Sequence, residues 1–356
     1  MRYQPLGRSG LLVSEFVLGT LNMGSHPMFK PAGGLGVAAA RKLFDIAFDH
    51  GVNMIDTANM YSFGEAEEIV GELLAGRTDD ILVTSKVRMP LGDAPNQGGA
   101  SRAHIVREVE KSLRRLRRTH LDLLYLHQWD GITPIEETLS ALDALVTSGK
   151  VRYTGVSNFS GWQITKTMYE ARLHGLVAPV VQQVNYTPEN RQTEYDILPA
   201  ARDAGLATYV WSPLGEGLLG GKVRRGQAVP PTTRQGTEWA EPHVVDMERA
   251  YDIIEVLAGV ADGRGVSMAR VVLAWLRQRP GVTGIVLGAR TEEQLRDDLA
   301  ALELTLTEDE IAAVDTATQP PAIYPYWHRA MLATDRPDPV EQPYLDGYQR
   351  MVNANA

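Results

Sequence analysis

Eight short apolar segments that alternate with eight helix-like segments predict an α/β fold, a (β/α)8 barrel of the TIM type. The alternation is strict along the chain, which is typical of a parallel sheet with helices on its outside. Eight strand–helix units are the number that closes into a barrel of about 250 residues. Because the 356-residue chain shows no second pattern of this kind, we expect one domain over 1–356.

The strand and helix segments follow one another in a regular order. The predicted strands are SEFVLGT (14–20), VNMIDT (52–57), ILVTSKV (81–87), LDLLYLH (121–127), VRYTGVS (151–157), VVQQVNY (180–186), LATYVWS (206–212) and GIVLGA (284–289). The predicted helices cover about 37–51, 65–75, 102–117, 135–148, 161–174, 194–204, 268–279 and 291–301. In the first helix, Leu43, Phe44 and Ala47 recur at helical spacing and Gly51 supplies a C-terminal stop.

Three segments lie outside the alternation. Residues 3–15 are predicted to form a β-hairpin over the barrel floor. The segment 213–245, rich in Gly and Pro, follows the seventh strand, and an extra helix is expected at about 246–262. The tail 320–356 is rich in proline, and we expect its aromatic residues to cap the pocket near the barrel mouth. These aromatic residues are Tyr324, Tyr326 and Trp327.

Composition and charge favour a globular, cytoplasmic protein that binds neither nucleic acid nor membranes. Hydrophobic residues make up 44% of the chain and charged residues 22%, the balance of a soluble protein. The N-terminus lacks the features of a secretory signal, and no apolar run reaches the roughly 18 residues of a membrane span. The net charge of −9 opposes an anionic macromolecular partner. The absence of cysteine excludes disulfides and thiolate chemistry.

Four ionisable residues lie at or just beyond the C-terminal ends of three consecutive predicted strands. Asp56 and Tyr61 follow the second strand, Lys86 lies near the end of the third, and His127 closes the fourth. Each alone is more often structural than catalytic, since a lysine at a strand end is usually solvated. Barrel closure brings adjacent strand ends to one mouth, the face where barrel enzymes place their chemistry. Together the four residues therefore predict an active site.

The four side chains have the chemistry of a proton donor. Lys86 is the cation that a buried Asp56 requires, because an unpaired buried carboxylate is costly. An ammonium group beside Tyr61 favours the phenolate, so a tyrosine with an ordinary pKa of about 10 can release its proton nearer neutral pH. A neutral His127 can donate a hydrogen bond to a substrate oxygen. We therefore predict an acid that protonates a carbonyl oxygen or, in reverse, a base for an alcohol.

Carbonyl reduction also needs a hydride source, but no standard nucleotide-binding loop is present. The sequence GEGLLG (215–220) matches G-x-G-x-x-G, yet it does not open a helix after the first strand of a βαβ unit. It is therefore not a Rossmann loop, although its glycines can let the backbone approach a pyrophosphate.

These motifs resemble those of the aldo-keto reductase family over about residues 1–320. The family signature is D-T-A-x-x-Y, followed by a lysine that ends the third strand and a histidine that ends the fourth. Here it reads DTANMY (56–61), TSK (84–86) and LH (126–127). The resemblance implies reversible, NAD(P)H-dependent reduction of an aldehyde or ketone by hydride transfer from nicotinamide C4, with NADP as the expected cofactor.

The resemblance also implies a role for each residue of the group. Tyr61 is the general acid, Lys86 and Asp56 form the pair that lowers its pKa, and His127 orients the carbonyl group. The cofactor-binding residues that the resemblance implies are Gly19, Thr20, Ser157, Asn158, Gln183, Trp211, Ser212, Pro213, Leu214, Gly217, Lys222, Gly288, Arg290, Gln294 and Asp298.

Some of these residues have specific expected contacts with the cofactor. Ser157, Asn158 and Gln183 resemble the contacts of the nicotinamide carboxamide, and Trp211 takes the place of the aromatic residue that stacks on the nicotinamide. The loop 213–222 resembles the one that closes over the pyrophosphate. In GARTEEQLRDDL, Arg290 resembles the cation that meets the 2′-phosphate of NADP, and Gln294 resembles an adenosine contact. Where many relatives have Asn facing the adenine, this chain has Asp298, so NAD is an alternative cofactor.

The expected substrate is a small carbonyl compound, with an apolar or aromatic one favoured and no metal required. The predicted pocket residues are Leu21, Met23, Met60, Gln128 and Trp129. Two other functions remain open. A barrel hydrolase or lyase could use Asp56 and His127 on a metal, which leaves Tyr61 and Lys86 without a role. A regulatory protein could bind the cofactor with slow turnover, as the channel accessory subunits of the family do.

Overall fold

Eight parallel strands form a closed barrel, which confirms the predicted fold class. The computed structural model describes residues 1–77, 80–231, 233–237, 244, 246–336, 338–342, 344–345 and 347. The chain begins with an antiparallel hairpin, β1 (Tyr3–Pro5) and β2 (Leu12–Ser14). The barrel strands are β3 (Phe16–Gly19), β4 (Met54–Asp56), β5 (Leu82–Val87), β6 (Leu121–Leu126), β7 (Val151–Ser157), β8 (Val181–Asn185), β9 (Ala207–Trp211) and β10 (Gly284–Leu287). They pair in chain order from β3 to β9, and β10 closes the ring between β9 and β3.

Helices surround this barrel. They are α1 (Val37–Asp49), α2 (Glu65–Leu73), α3 (Arg102–Leu116), α4 (Ile135–Thr147), α5 (Gly161–Leu173), α6 (Ile197–Ala204), α7 (Met247–Arg264), α8 (Met268–Arg277), α9 (Glu292–Leu299), α10 (Glu308–Thr318) and α11 (Tyr326–Leu332). The expected extra helix is α7, whereas α10 and α11 were not predicted. Among the described helices none is both long and apolar enough to cross a membrane.

The weak apolar pattern of α10 explains why periodicity missed it. Its buried residues are Val314 and Thr318, so no continuous apolar stripe marks the helix. The helix instead begins with a capping box, in which the side chains of Thr307 and Glu310 satisfy each other's backbone N–H groups. The sequence T-x-x-E at 307–310 was therefore the available signal for this helix.

The N-terminal hairpin closes the floor of the barrel. Leu6 and Val13 are fully buried and pack with residues of the barrel interior, including Val17, Met54 and Tyr209. Burial of apolar side chains of this size contributes about 1.5–3 kcal/mol each. The hairpin therefore leaves the functional cleft to the opposite end, where the strands reach their C-termini.

Gly7 in this hairpin is expected to tolerate no side chain. Its φ of +57° is left-handed, and a Cβ atom there would lie 2.1 Å from the carbonyl oxygen of Val180. We expect Gly7→Ala to lower the free energy of unfolding by roughly 1–3 kcal/mol in urea unfolding, because the strained backbone must also shift. Gly10→Ala is the matched control, because a Cβ at Gly10 would meet no described atom within 4 Å. Equal losses in both variants would contradict this steric explanation.

The described part of the tail follows α6 away from the mouth. The ring of Tyr326 packs on that of Tyr195, just before α6, with centroids 5.4 Å apart. The guanidinium group of Arg202, near the end of α6, donates a hydrogen bond to the carbonyl oxygen of Val340 at 2.8 Å. None of the described tail residues lines the cleft at the mouth. The aromatic residues that were expected to cap the pocket therefore do not line the cleft, because this part of the chain turns along α6. They are Tyr324, Tyr326 and Trp327.

Candidate active site

The four predicted catalytic side chains meet at the mouth of the barrel. The ammonium group of Lys86 forms a close ion pair with Oδ2 of Asp56 and donates a hydrogen bond to the phenol oxygen of Tyr61 at 3.2 Å. The ring of Tyr61 lies edge-on to that of His127, with centroids 5.9 Å apart. The residues converge because β4, β5 and β6 are adjacent and parallel, so their C-terminal ends lie side by side.

Asp56 is buried but is well supplied with hydrogen-bond donors. Its Oδ1 atom accepts hydrogen bonds from Oγ1 of Thr84 at 2.9 Å and from Nε2 of Gln183 at 3.0 Å, while Oδ2 faces Lys86. These donors offset the cost of removing a carboxylate from water. Thr84 was missed, although it lies two residues before Lys86 and so points to the same side of β5. Gln183 lines the cleft, but its amide nitrogen is directed to Asp56.

Lys86 carries a charge although it is completely buried. Burial alone lowers the pKa of its ammonium group, but the attraction of Asp56 and Tyr61 outweighs this effect and raises the pKa above its ordinary value of 10.5. A full positive charge therefore lies 3.2 Å from the phenol oxygen at neutral pH. A cation at this distance stabilises the phenolate that remains after proton transfer.

His127 is neutral at physiological pH. Burial lowers the pKa of its imidazole well below the ordinary value, and the nearby charges of Lys86 and Arg88 lower it further. The residue is fixed by its backbone, because its N–H donates to the carbonyl oxygen of Val87 at 2.9 Å and its carbonyl accepts from Nδ2 of Asn158 at 3.0 Å. A neutral imidazole keeps one N–H donor, which suits the predicted role of orienting a carbonyl group.

A strained turn sets the position of Tyr61. Ser62 and Phe63, which follow it directly, have φ angles of 45° and 53°, a conformation that costs a non-glycine residue about 1 kcal/mol. The hydroxyl of Ser62 donates to the carbonyl oxygen of Met23 at 3.1 Å and so holds the turn in place. This strained turn belongs to the loop that brings the phenol over Lys86.

A cleft of about 1850 Å³ extends from Asp56, Tyr61 and His127 to the loop after β9 and to α8 and α9. Every residue that was predicted to bind the cofactor lines this cleft. Lys86 lies beneath its surface, with its charge directed to Asp56 and Tyr61. The structure therefore brings the predicted proton donor and the predicted cofactor residues into one site.

Hydrogen bonds hold several side chains near His127 in position. Nε1 of Trp211 donates to Oδ1 of Asn158 at 3.0 Å, and Nδ2 of Asn158 donates to the carbonyl oxygen of His127. The hydroxyl of Ser157 donates to the carbonyl oxygen of Gln183 at 3.0 Å. These hydrogen bonds fix the positions of Trp211, Asn158 and Ser157 at the inner end of the cleft.

The outer end of the cleft is rich in basic side chains, and several were not predicted. Its basic residues are Lys222, Arg234, Arg270, Arg290 and Arg296. Arg234 forms an ion pair with Glu216, whose carboxylate also accepts a hydrogen bond from Ser212. Burial and the charge of Arg290 lower the pKa of Arg234 to about 10. Arg234 and Glu216 could not be found from the sequence, because both lie in the irregular segment after β9.

The substrate residues predicted from the sequence divide into two groups. Leu21, Met60 and Gln128 line the cleft. Met23 does not, because it is buried in the core beside a bridge to Leu35. Trp129 also lies outside the lining, because its ring packs against those of Phe159 and Trp162, with centroids 5.2 and 5.4 Å away. Residues that were not predicted complete the apolar wall, and they include Met28, Phe29 and Met89.

A closed (β/α)8 barrel with Asp, Tyr, Lys and His side chains grouped at its mouth defines a class of carbonyl-reducing oxidoreductases. The model of the aldo/keto reductase family matches residues 15–319, which include all four side chains. The chain belongs to the aldo/keto reductase family.

Individual relatives match most of the chain. It is 37% identical to the uncharacterized oxidoreductase YrpG of Bacillus subtilis (strain 168), over 87% of this chain and 93% of that protein. It is 35% identical to a probable voltage-gated potassium channel subunit beta of Arabidopsis thaliana, over 85% and 92% of the two chains. A protein of the same description from Oryza sativa subsp. japonica is 34% identical, over 90% of this chain and 97% of that protein.

Proposed function

We propose that this protein is an NADPH-dependent reductase that converts an aldehyde or ketone to an alcohol. The observation that carries the proposal is the position of Lys86, which contacts both Asp56 and Tyr61 at the inner end of a cleft lined by the predicted cofactor residues. NADPH, when bound, supplies the hydride for the carbonyl carbon. We further propose a cytoplasmic protein that acts on a small molecule, without a nucleic-acid or membrane partner, as its net charge of −9 favours.

The size and charge of the cleft fit a dinucleotide. Its volume of about 1850 Å³ exceeds the roughly 300–1,000 Å³ of pockets for drug-sized ligands. Gly217 and Gly288 line it, and a Cβ atom at either position would meet no described atom within 4 Å. Backbone that faces open space in this way lets a phosphate approach closely. The basic residues at the outer end supply the charge that such phosphates need.

Each of the four inner residues has a definite task in the proposed reaction. Tyr61 donates its phenolic proton to the carbonyl oxygen, and Lys86 stabilises the phenolate that forms. The N–H of neutral His127 donates a hydrogen bond to the same oxygen and orients it. Asp56 keeps Lys86 charged and fixed in position. In the reverse direction, the phenolate of Tyr61 accepts the proton of an alcohol.

Arg290 is expected to decide between NADPH and NADH. A charge-assisted hydrogen bond to a phosphate contributes about 1.5–3 kcal/mol, so loss of a cation that binds the 2′-phosphate should weaken NADPH binding about 10- to 100-fold. We therefore expect Arg290→Gln to raise the Kd of NADPH by this factor and to leave the Kd of NADH within about threefold. Fluorescence titration of the two nucleotides measures the change. Arg336→Gln, at a strongly exposed arginine of the tail, is the control for lost charge.

The names of the two plant relatives favour one alternative, a regulatory protein that binds the cofactor and turns over slowly. A panel of aliphatic and aromatic aldehydes and ketones, assayed with NADPH, separates the two functions. Turnover of members of this panel supports the reductase. Tight binding of NADPH without turnover across the panel would support regulation, and failure to bind either nucleotide would exclude both.

A further inference from the structure

The β3–α1 loop (residues 20–36) forms part of the cleft wall beside the proton donor. Its apolar residues Pro27, Met28 and Phe29 line the cleft. The ring of Phe29 lies edge-on to that of Tyr61, with centroids 6.5 Å apart. Met28 is 59% exposed, so a substrate that reaches it removes apolar surface from water. The loop therefore offers a wall for the part of a substrate that lies beyond its carbonyl group.

Glu65, the first residue of α2, holds this loop from outside the cleft. Its Oε2 atom accepts hydrogen bonds from the backbone N–H of Ser25 at 2.7 Å and from the hydroxyl of Ser25 at 2.9 Å. A carboxylate acceptor makes both bonds stronger than bonds between neutral groups. Glu65 does not line the cleft itself. Its side chain therefore affects a substrate through the loop.

The loop and the turn after Tyr61 approach each other closely at Gly24. This residue has a φ of +105°, and a Cβ atom there would lie 2.4 Å from Oγ of Ser62 and 3.2 Å from Oε2 of Glu65. Only a glycine fits both this backbone conformation and this space. The loop is therefore built to lie directly against the two side chains that hold it.

Aromatic rings add a second contact between the same two segments. The centroid of the Phe63 ring lies 4.5 Å from that of His26 and 6.3 Å from that of Phe29. Phe63 has a left-handed backbone, and such strain persists where surrounding contacts over-determine the conformation. The loop and the turn therefore form one packed unit, which the hydrogen bonds of Glu65 and Ser62 join.

A glutamate in the first turn of a helix has a simpler role, because a negative charge there stabilises the helix dipole. The first turn of α2 also contains Glu68, which is exposed. Both carboxylates can serve the helix, and Glu65 in addition binds Ser25. Glu68 is therefore a matched control for the contact with the loop.

We propose that Glu65 is a positioning residue for substrate specificity, which holds the β3–α1 loop so that Met28 and Phe29 form a fixed wall beside Tyr61. The proposal rests on the proposed function, because it concerns the substrate of that reaction. The wall favours a carbonyl compound with a bulky apolar or aromatic group, which packs against both side chains. A short aliphatic aldehyde does not need the wall, because it ends near the reacting atoms.

Kinetics of Glu65→Ala with two aldehydes test the proposal. We expect the KM of an aromatic aldehyde to rise about tenfold and its kcat to stay within about threefold, because the loosened wall binds the ring less well. The KM of propanal should stay within about threefold of the wild-type value, because propanal does not reach the wall. An equal loss with both aldehydes, as a merely destabilised protein would show, overturns the proposal.

Two further variants test the chemistry of the contact. Glu65→Gln keeps an acceptor oxygen for Ser25, so it should recover most of the affinity for the aromatic aldehyde. Glu68→Ala removes a carboxylate from the same helical turn and should leave the KM of both aldehydes unchanged. If Glu65→Gln recovers nothing, or if Glu68→Ala raises the KM as much as Glu65→Ala does, the proposal is wrong.

Hydrogen exchange gives a readout that needs no ligand. The backbone N–H of Ser25 should exchange about tenfold faster in Glu65→Ala than in the wild type, because it has lost its acceptor. Mass spectrometry of peptides that cover residues 22–33 measures this change. Equal exchange in the two proteins overturns the proposal while the proposed function stands. A wild type that reduces no carbonyl compound overturns the proposed function and this proposal together.

Discussion

Replacement of Tyr61 by phenylalanine is expected to slow carbonyl reduction by about 10²-fold or more in a single turnover, because the reaction loses its general acid. The change removes one oxygen atom, which accepts a hydrogen bond from the ammonium group of Lys86. The ion pair of Lys86 with Asp56 stays intact, so the Kd of NADPH and the fold should change little. Rapid mixing of the NADPH complex with an aromatic aldehyde measures the rate.

The matched control is Tyr169→Phe, which removes the same atom from an exposed residue of α5. It should reduce the aldehyde at the wild-type rate. If Tyr61→Phe binds NADPH normally and also keeps the wild-type single-turnover rate, then Tyr61 is not the proton donor. The proposed mechanism would then be wrong, whatever the overall fold.

The barrel could be predicted because local pattern and overall architecture agree. Each strand is a short apolar run, and each is followed by a helix-like segment, so the order of the elements fixes which strands are neighbours. The helix α10 escaped prediction because Val314 and Thr318 are its buried residues and do not form a continuous apolar stripe. The ion pair of Arg279 with Asp315 joins α10 to the residues after α8.

The convergence of Asp56, Tyr61, Lys86 and His127 could also be predicted, because these residues lie at the strand ends and barrel closure determines their position. Side chains on loops were less predictable. Met23 and Trp129 were expected in the pocket, but the path of each loop turns them into apolar contacts. The ion pair between Glu216 and Arg234 could not be predicted for the same reason. Both residues lie in a segment without a regular sequence pattern.

Replacement of Lys86 by methionine is expected to lower both stability and activity. The variant leaves the buried carboxylate of Asp56 without its cation, although Thr84 and Gln183 still donate to it. Removal of one partner of a buried ion pair costs about 3–5 kcal/mol, which urea unfolding can measure. The rate of reduction should fall by about 10²-fold or more, because no charge remains to stabilise the phenolate of Tyr61.

The double variant Asp56→Asn with Lys86→Met separates these two losses. Both replacement side chains are uncharged, so no unpaired charge is left in the core. Replacement of a whole buried ion pair by uncharged residues often leaves the stability unchanged or raises it. We therefore expect the double variant to regain most of the lost stability but none of the lost rate. If the double variant recovered both, the charge of Lys86 would serve only to hold the fold. Stability without activity would show that the buried pair is retained for the chemistry of Tyr61.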